Sequence, residues 1–102
     1  MIKSIQYSKR KNKRFKVILD NNDTNHFGLK DGKTYIDHND IKKRDNYIKR
    51  HMKNTKENEL INILIPSPAL FSAVLLWGPH NTLKRNTHYL NDLFKKKEIG
   101  KK

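Results

Sequence analysis

Asp40, Arg44, Tyr47 and His51 follow one another at spacings of four, three and four, so on a helix they form one stripe whose neighbours can touch. Carboxylate, guanidinium, phenol and imidazole in one line could transfer protons, grip an anion, or fasten the helix to whatever it packs on. Asp40 stands before Arg44 in the acid-first order that favours an ion pair. The reading that these residue types support is the third: a structural polar motif of His38, Asp40, Arg44, Tyr47 and His51, partly buried, each group hydrogen-bonded.

Metal and hydrolytic chemistry have less behind them. The histidines His26, His38, His51, His80 and His88 would suffice for a zinc site if three met, yet no two stand at i, i+4 on one helix. Asp37-His38 followed by Asn46 and His51 bears a partial likeness to a one-metal HNH-type nuclease. That arrangement needs a longer separation of the later asparagine and histidine, and a strand before the helix. A metal-dependent nuclease is therefore the enzyme alternative to a non-enzymatic protein. There is no glycine-rich phosphate loop, nucleophile elbow or carboxylate pair, and no cofactor or resident metal is expected.

Charge is the dominant chemical signal. A formal net charge of +13 on 102 residues attracts polyanions. Residues 1–18 carry seven cations and no carboxylate, whereas 20–40 hold Asp20, Asp23, Asp31, Asp37 and Asp40 against Lys30 and Lys33. Residues 41–59 are basic again, 60–83 are uncharged, and from Lys84 onward seven cations face Asp92 and Glu98. Arg10, Lys11, Lys13 and Arg14 crowd what reads as a hairpin tip, and Lys42, Lys49, Lys53 and Lys56 fall along one helical flank. These eight are the candidate contacts to nucleic acid or an acidic partner. Lysine outweighs arginine, which suits point-charge contact with phosphates rather than bidentate base reading, and such binding is sequence-blind and salt-sensitive.

The elements that must position these groups are legible from periodicity and caps. Ile5 and Tyr7, then Phe15, Val17 and Leu19, alternate with polar neighbours, as a β-hairpin does. Asn21-Asn22-Asp23 marks a turn. Thr24–Leu29 and Lys33–Ile36 can supply one or two further strands about Asp31-Gly32, making an antiparallel sheet of three to four strands. Near Asp37–Asp40 the period lengthens to that of a helix, with Asp37 or Asn39 as N-cap. Ile41, Ile48 and Met52 share the face expected to pack inward, with the lysines outward and the Asp/Arg/Tyr/His stripe partly inward. Asn54 with Glu57 matches a capping box, and one or two helical turns follow over Glu59–Ile65.

Leu60–Leu83 contains no Asp, Glu, Lys or Arg and is the expected interior. Ser67 suits an N-cap and Pro68 the first helical position, and Gly78-Pro79 suits a stop with glycine in the left-handed conformation. A helix apolar on every face is buried or in a membrane. Pro66-Ser67-Pro68 leaves this one far short of the ~20 residues a span needs, so no membrane span is expected. The Met1 end has no apolar h-region and so no signal peptide. Asn81 or Thr82 caps a last helix to about Lys97, with Leu83, Thr87, Leu90, Leu93 and Phe94 on one face. Residues 99–102 should fray. The expectation is one α+β domain: a β part over 1–36, then a helical part over 37–98 of three to four helices around the buried apolar one. Absence of cysteine points to a reducing compartment, cytoplasm or nucleus.

His26-Phe27-Gly28, the run Tyr35-x-x-His38-x-Asp40-x-x-Lys43-Arg44-x-x-Tyr47-x-x-Arg50-His51 and Ser67–Trp77 together resemble a group of small basic proteins of unknown function. Large nucleocytoplasmic DNA viruses of algae and protists encode that group. The resemblance covers about half the chain and implies a viral origin and a virion-associated role, with no established activity. The resulting expectation is a viral structural protein, in the particle or the infected host cell, whose basic surface docks on nucleic acid or an acidic capsid partner. A free sequence-nonspecific nucleic-acid-binding factor is its alternative.

Overall fold

The computed structural model describes residues 1–100, and nothing is described for the side chains at 57, 60 and 98–100. Three strands, β1 (Ile2–Tyr7), β2 (Lys13–Leu19) and β3 (Thr24–Leu29), form an antiparallel sheet in the order β1-β2-β3. Helices α1 (Tyr35–His38), α2 (Ile41–Met52), α3 (Thr55–Asn62), α4 (Pro68–Phe71) and α5 (Leu83–Gly100) follow, with a π-helical segment, Ser72–Leu76, continuing directly from α4. The architecture is α+β, as the change of period along the sequence requires. Asn12 and Asn22 take left-handed backbone conformations in the two hairpin turns, which asparagine tolerates better than most residues.

Alternation in β2 sends Phe15, Val17 and Leu19 into the core, opposite Phe27 of β3. Tyr7 pairs with Phe15 in register and stacks on it at 5.4 Å, but is 81% exposed, because no helix covers that end of the edge strand. Lys33–Ile36 is not a strand. Thr34 instead starts α1, with Asp37 at its third position accepting from Thr34 N–H at 2.8 Å. Local capping therefore overrides the weak β pattern there.

The uncharged middle is the interior. Leu70, Phe71, Leu75 and Leu76 are buried with Val17, Phe27 and Leu90 in one cluster that joins Ile2 to Phe94. Phe27 and Phe71, 5.8 Å apart, lock the sheet to α4. Ser67 caps α4 by accepting from Leu70 N–H at 3.2 Å, with Pro68 at the first position. No helix among the described residues is long and apolar enough to cross a membrane.

Two local expectations change. The helix begun at Pro68 widens at Ser72, where Trp77 N–H donates to Ser72 C=O, five residues back. Gly78 is not left-handed. It is buried, and a Cβ there would collide with Val74 O and lie 2.8 Å from Asn86 Oδ1, so glycine is needed for close approach. Thr82 caps α5 through Arg85 N–H. The helix runs past Lys97 to Gly100, so the expected fraying beyond that point lies outside the described residues, as does the Glu57 half of the capping box.

Candidate nucleic-acid interface

Asp40, not Asp37 or Asn39, is the N-cap of α2, its carboxylate accepting from Lys42 and Lys43 N–H at 3.0 and 3.2 Å. Asn39 is instead the left-handed residue that ends α1. With Asp40 occupied at the cap, the Asp40–Arg44 ion pair does not form. Arg44 Nε donates to Trp77 O at 3.1 Å and Gly78 O at 2.9 Å, carbonyls that lie where the π segment ends and no helical N–H reaches them. Its guanidinium also lies over the Tyr35 ring at 5.8 Å.

The inward face of α2 is correspondingly rotated from the one the apolar residues suggest. Ile41 and Met52 are 64% and 60% exposed, while Arg44, Tyr47, Ile48 and His51 are half-buried. Tyr47 stacks parallel on Trp77 at 4.3 Å and carries His51 on its other side at 4.1 Å. Flat aromatic packing and two charge-assisted hydrogen bonds hold the helix where aliphatic contact was expected. His38 Nδ1 accepts from Asp40 N–H at 2.9 Å, and its ring packs edge-on to Trp77 at 5.5 Å. Its Nε2 is buried without a hydrogen-bond partner, and must carry the proton of the neutral ring because Nδ1 is an acceptor. The residues of the nuclease-like alternative are thus engaged separately: Asp37 with Arg14, His38 beside Trp77, His51 on Tyr47. Among the described residues, no three His, Asp or Glu side chains converge as a metal site would require.

The cationic candidates divide. Lys42, Lys49, Lys53 and Lys56 are exposed, and no carboxylate among the described residues pairs with them. They do not share one helical flank, because α2 ends at Met52 with Lys53 as its C-cap, and Lys56 lies on α3. Arg10 and Lys11 are exposed at the hairpin tip and Lys13 is half-buried. Arg14, expected in solvent with them, is withdrawn: both its terminal nitrogens donate to Asp37 at 2.6 Å, with side-chain exposures of 19% and 29%. Gly28, at φ +78°, lies beside Arg14, whose Cβ would be 3.3 Å from a Cβ at that position.

This pair makes stability depend on pH. Hydrogen bonding from Arg14, aided by Thr34 and opposed by burial, holds the Asp37 carboxyl well below the usual carboxylate range. A carboxylate depressed on folding contributes stability that is complete above its unfolded pKa, ~3.9, and is lost as pH falls through the folded value. Asp37→Asn is expected to lose about 1–2 kcal/mol near neutrality, reduced from a buried pair's worth by solvent screening. Urea titrations at pH ~7 and ~3 should find the gap to wild type smaller in acid.

Sequence reasoning missed three features. Asn86, fully buried, donates from Nδ2 to Leu75 O and His80 O and accepts from His80 N–H, all at 2.9 Å. The signal was there: an amide on the apolar face of α5 next to Thr87 and Leu90. Ser8 Oγ lies 2.7 Å from His26 Nδ1 and accepts Arg10 N–H at 3.0 Å. Desolvation and then Arg10, Lys16 and Lys13 push that imidazole below its ordinary pKa. No carboxylate among the described residues orients this half-buried pair, and sequence offers no way to foresee a contact between β1's end and β3.

The third missed feature is a cleft of about 450 Å³ where β3, the 30–34 loop, α2 and the π segment meet. Lys13, Lys33 and Arg50 line it with Tyr47, His51 and Trp77, and no carboxylate among the described residues does. Behind the Tyr47–Trp77 stack lies a smaller cleft of about 300 Å³ with Ile48, Ile61 and Val74 in its wall.

Fold and site together define an α+β protein with a cationic surface and an aromatic-walled basic cleft. Residues 3–51 match the model of a family of unknown function, DUF5754. The matched stretch spans the sheet, the Arg14–Asp37 pair and α2 through His51, and stops short of Trp77 and Asn86. Comparison with curated proteins and with solved structures returns no match.

Proposed function

We propose that this is a non-enzymatic protein that docks on nucleic acid through its phosphates, in the setting of a large DNA virus particle. The observation that carries the reading is the group of exposed lysines on α2 and the start of α3, which no carboxylate among the described residues pairs, with the hairpin tip as a second group of cations. Lys42 and Lys49 on α2, Lys53 at its C-terminal cap and Lys56 on α3 stand in water with no carboxylate among the described residues paired to them, and such a surface gains most by neutralising itself on a polyanion. Ordered elements carry them, so little is lost in ordering on binding. The virion setting is supported by the resemblance of the His26–Gly28, Tyr35–His51 and Ser67–Trp77 motifs. An acidic capsid surface would meet the same charges, and a free factor in the infected cell would use them in the same way.

A gel shift with random duplex DNA across a salt series tests the docking. Contact with about five phosphates predicts a log–log salt slope near −4 to −5. Lys49→Glu with Lys53→Glu should weaken binding at least about tenfold and flatten the slope by about 2, with the melting temperature nearly unchanged. Absence of any shift at low salt with this duplex and with single-stranded DNA alike would remove nucleic acid and leave the acidic protein surface. Mass spectrometry of purified particles separates the virion component from the free factor.

A further inference from the structure

We infer that the 450 Å³ cleft is the seat of an unpaired nucleotide, so that the protein prefers single-stranded nucleic acid to duplex. The inference rests on the nucleic-acid reading above and deepens it. Ligand sites of roughly 300–1,000 Å³ combine apolar walls with a few placed polar groups, and this cleft has both. Lys13, Lys33 and Arg50 line it from β2, the 30–34 loop and α2, with no carboxylate among the described lining residues. That arrangement calls for an anion. Arg50 offers a planar fork suited to a phosphate or a base face.

The remainder of the lining calls for more than an anion. Leu76, Ala69 and Pro68 supply apolar surface, and Ser72 a hydroxyl. Tyr47 covers one face of Trp77 at 4.3 Å, and the indole brings aromatic surface to the cleft wall, where its electropositive edge suits the carbonyl-rich edge of a base. Glycine at 28 lets β3 close upon Leu76, where a Cβ would lie 2.9 Å from Leu76 Cδ1. In a duplex the base faces are stacked and the Watson–Crick edges paired, leaving only phosphates, sugars and groove edges outside, so the cleft can enclose a whole nucleotide only from an unpaired strand.

Trp77 is the only tryptophan and lines the cleft, so its fluorescence reports occupancy. The full chain is titrated at fixed low salt with oligothymidylate of about ten nucleotides and with a duplex of equal length. The expected result is quenching by the single strand alone and at least about tenfold tighter single-strand binding. Lys33→Gln with Arg50→Gln should abolish quench and preference, whereas Lys49→Gln with Lys53→Gln, equal in net charge, should keep both. Equal quenching by duplex, by inorganic phosphate or by polyglutamate at matched concentration would overturn the inference. So would duplex binding without single-strand preference, which leaves the docking function standing. Failure to bind either polymer would defeat the docking function itself, and this inference with it.

Discussion

Replacing Gly78 by alanine is expected to give the largest loss of stability of any conservative change in this chain, on the order of 4 kcal/mol. The backbone at 78 is not one that only glycine adopts; space is the issue. An added Cβ would overlap Val74 O, a backbone atom of the π segment that cannot step aside as a flexible side-chain end can, and would press on Asn86 Oδ1 at 2.8 Å. Relief requires displacing Gly78 from Arg44, which donates to its carbonyl, or displacing Asn86 from its buried position. Against a total stability of ~5–15 kcal/mol for a domain, the variant should melt far below wild type by circular dichroism. An alanine variant that melts within a few degrees of wild type would show that the π segment and α5 separate easily.

Asn86→Asp is expected to follow closely, with a loss of about 3–4 kcal/mol. The substitution preserves shape and replaces both amide hydrogens with a second acceptor. Leu75 O and His80 O then face an oxygen in a fully buried place, each unpaired buried carbonyl costing about 1–3 kcal/mol. Asn86→Leu should lose less, because, although it leaves the two carbonyls and His80 N–H unpaired, it buries no charge. For a chain of this length, 3 kcal/mol corresponds to a fall in Tm on the order of 15 °C. Thermal melts of the two variants side by side test the argument: equal losses would mean that packing volume, not hydrogen bonding, holds the 77–82 turn to α5.

Both substitutions act where three elements meet, and that junction organises the candidate interface. Arg44 of α2 and Asn86 of α5 take the carbonyls of Leu75, Trp77 and Gly78 from opposite elements. Widening of the helix at Ser72–Leu76 makes those carbonyls available and sets Trp77 against Tyr47. The wall of the cleft is thus a consequence of the π segment, which fits the frequent occurrence of such bulges at functional positions.

Particular residues show how much of this was legible in advance. The caps at Ser67 and Thr82, the inward set of β2, the burial of Leu70–Leu76 and the solvent face of the α2 lysines all follow from neighbours within a few positions, where propensity, capping and period act. The expectations that failed each depended on a distant partner. Hydrophobicity alone points Ile41 and Met52 inward, but the surface facing α2 presents an indole and two carbonyls without helical partners, which select Tyr47 and Arg44 instead. Arg14 was placed in solvent because Asp37, 23 residues on, could not be known to reach it.

By itself, then, the amino-acid order determined the α+β division, the ends of most elements, the neutral interior and the cationic exterior, because these depend on short-range sterics and on transfer from water. Tertiary structure alone decided the rotation of α2, the widened helix, the Arg14–Asp37 pair and the basic cleft beside Trp77. Each of those is set by which polar groups a neighbouring element leaves unsatisfied, and that is known only once the elements have met.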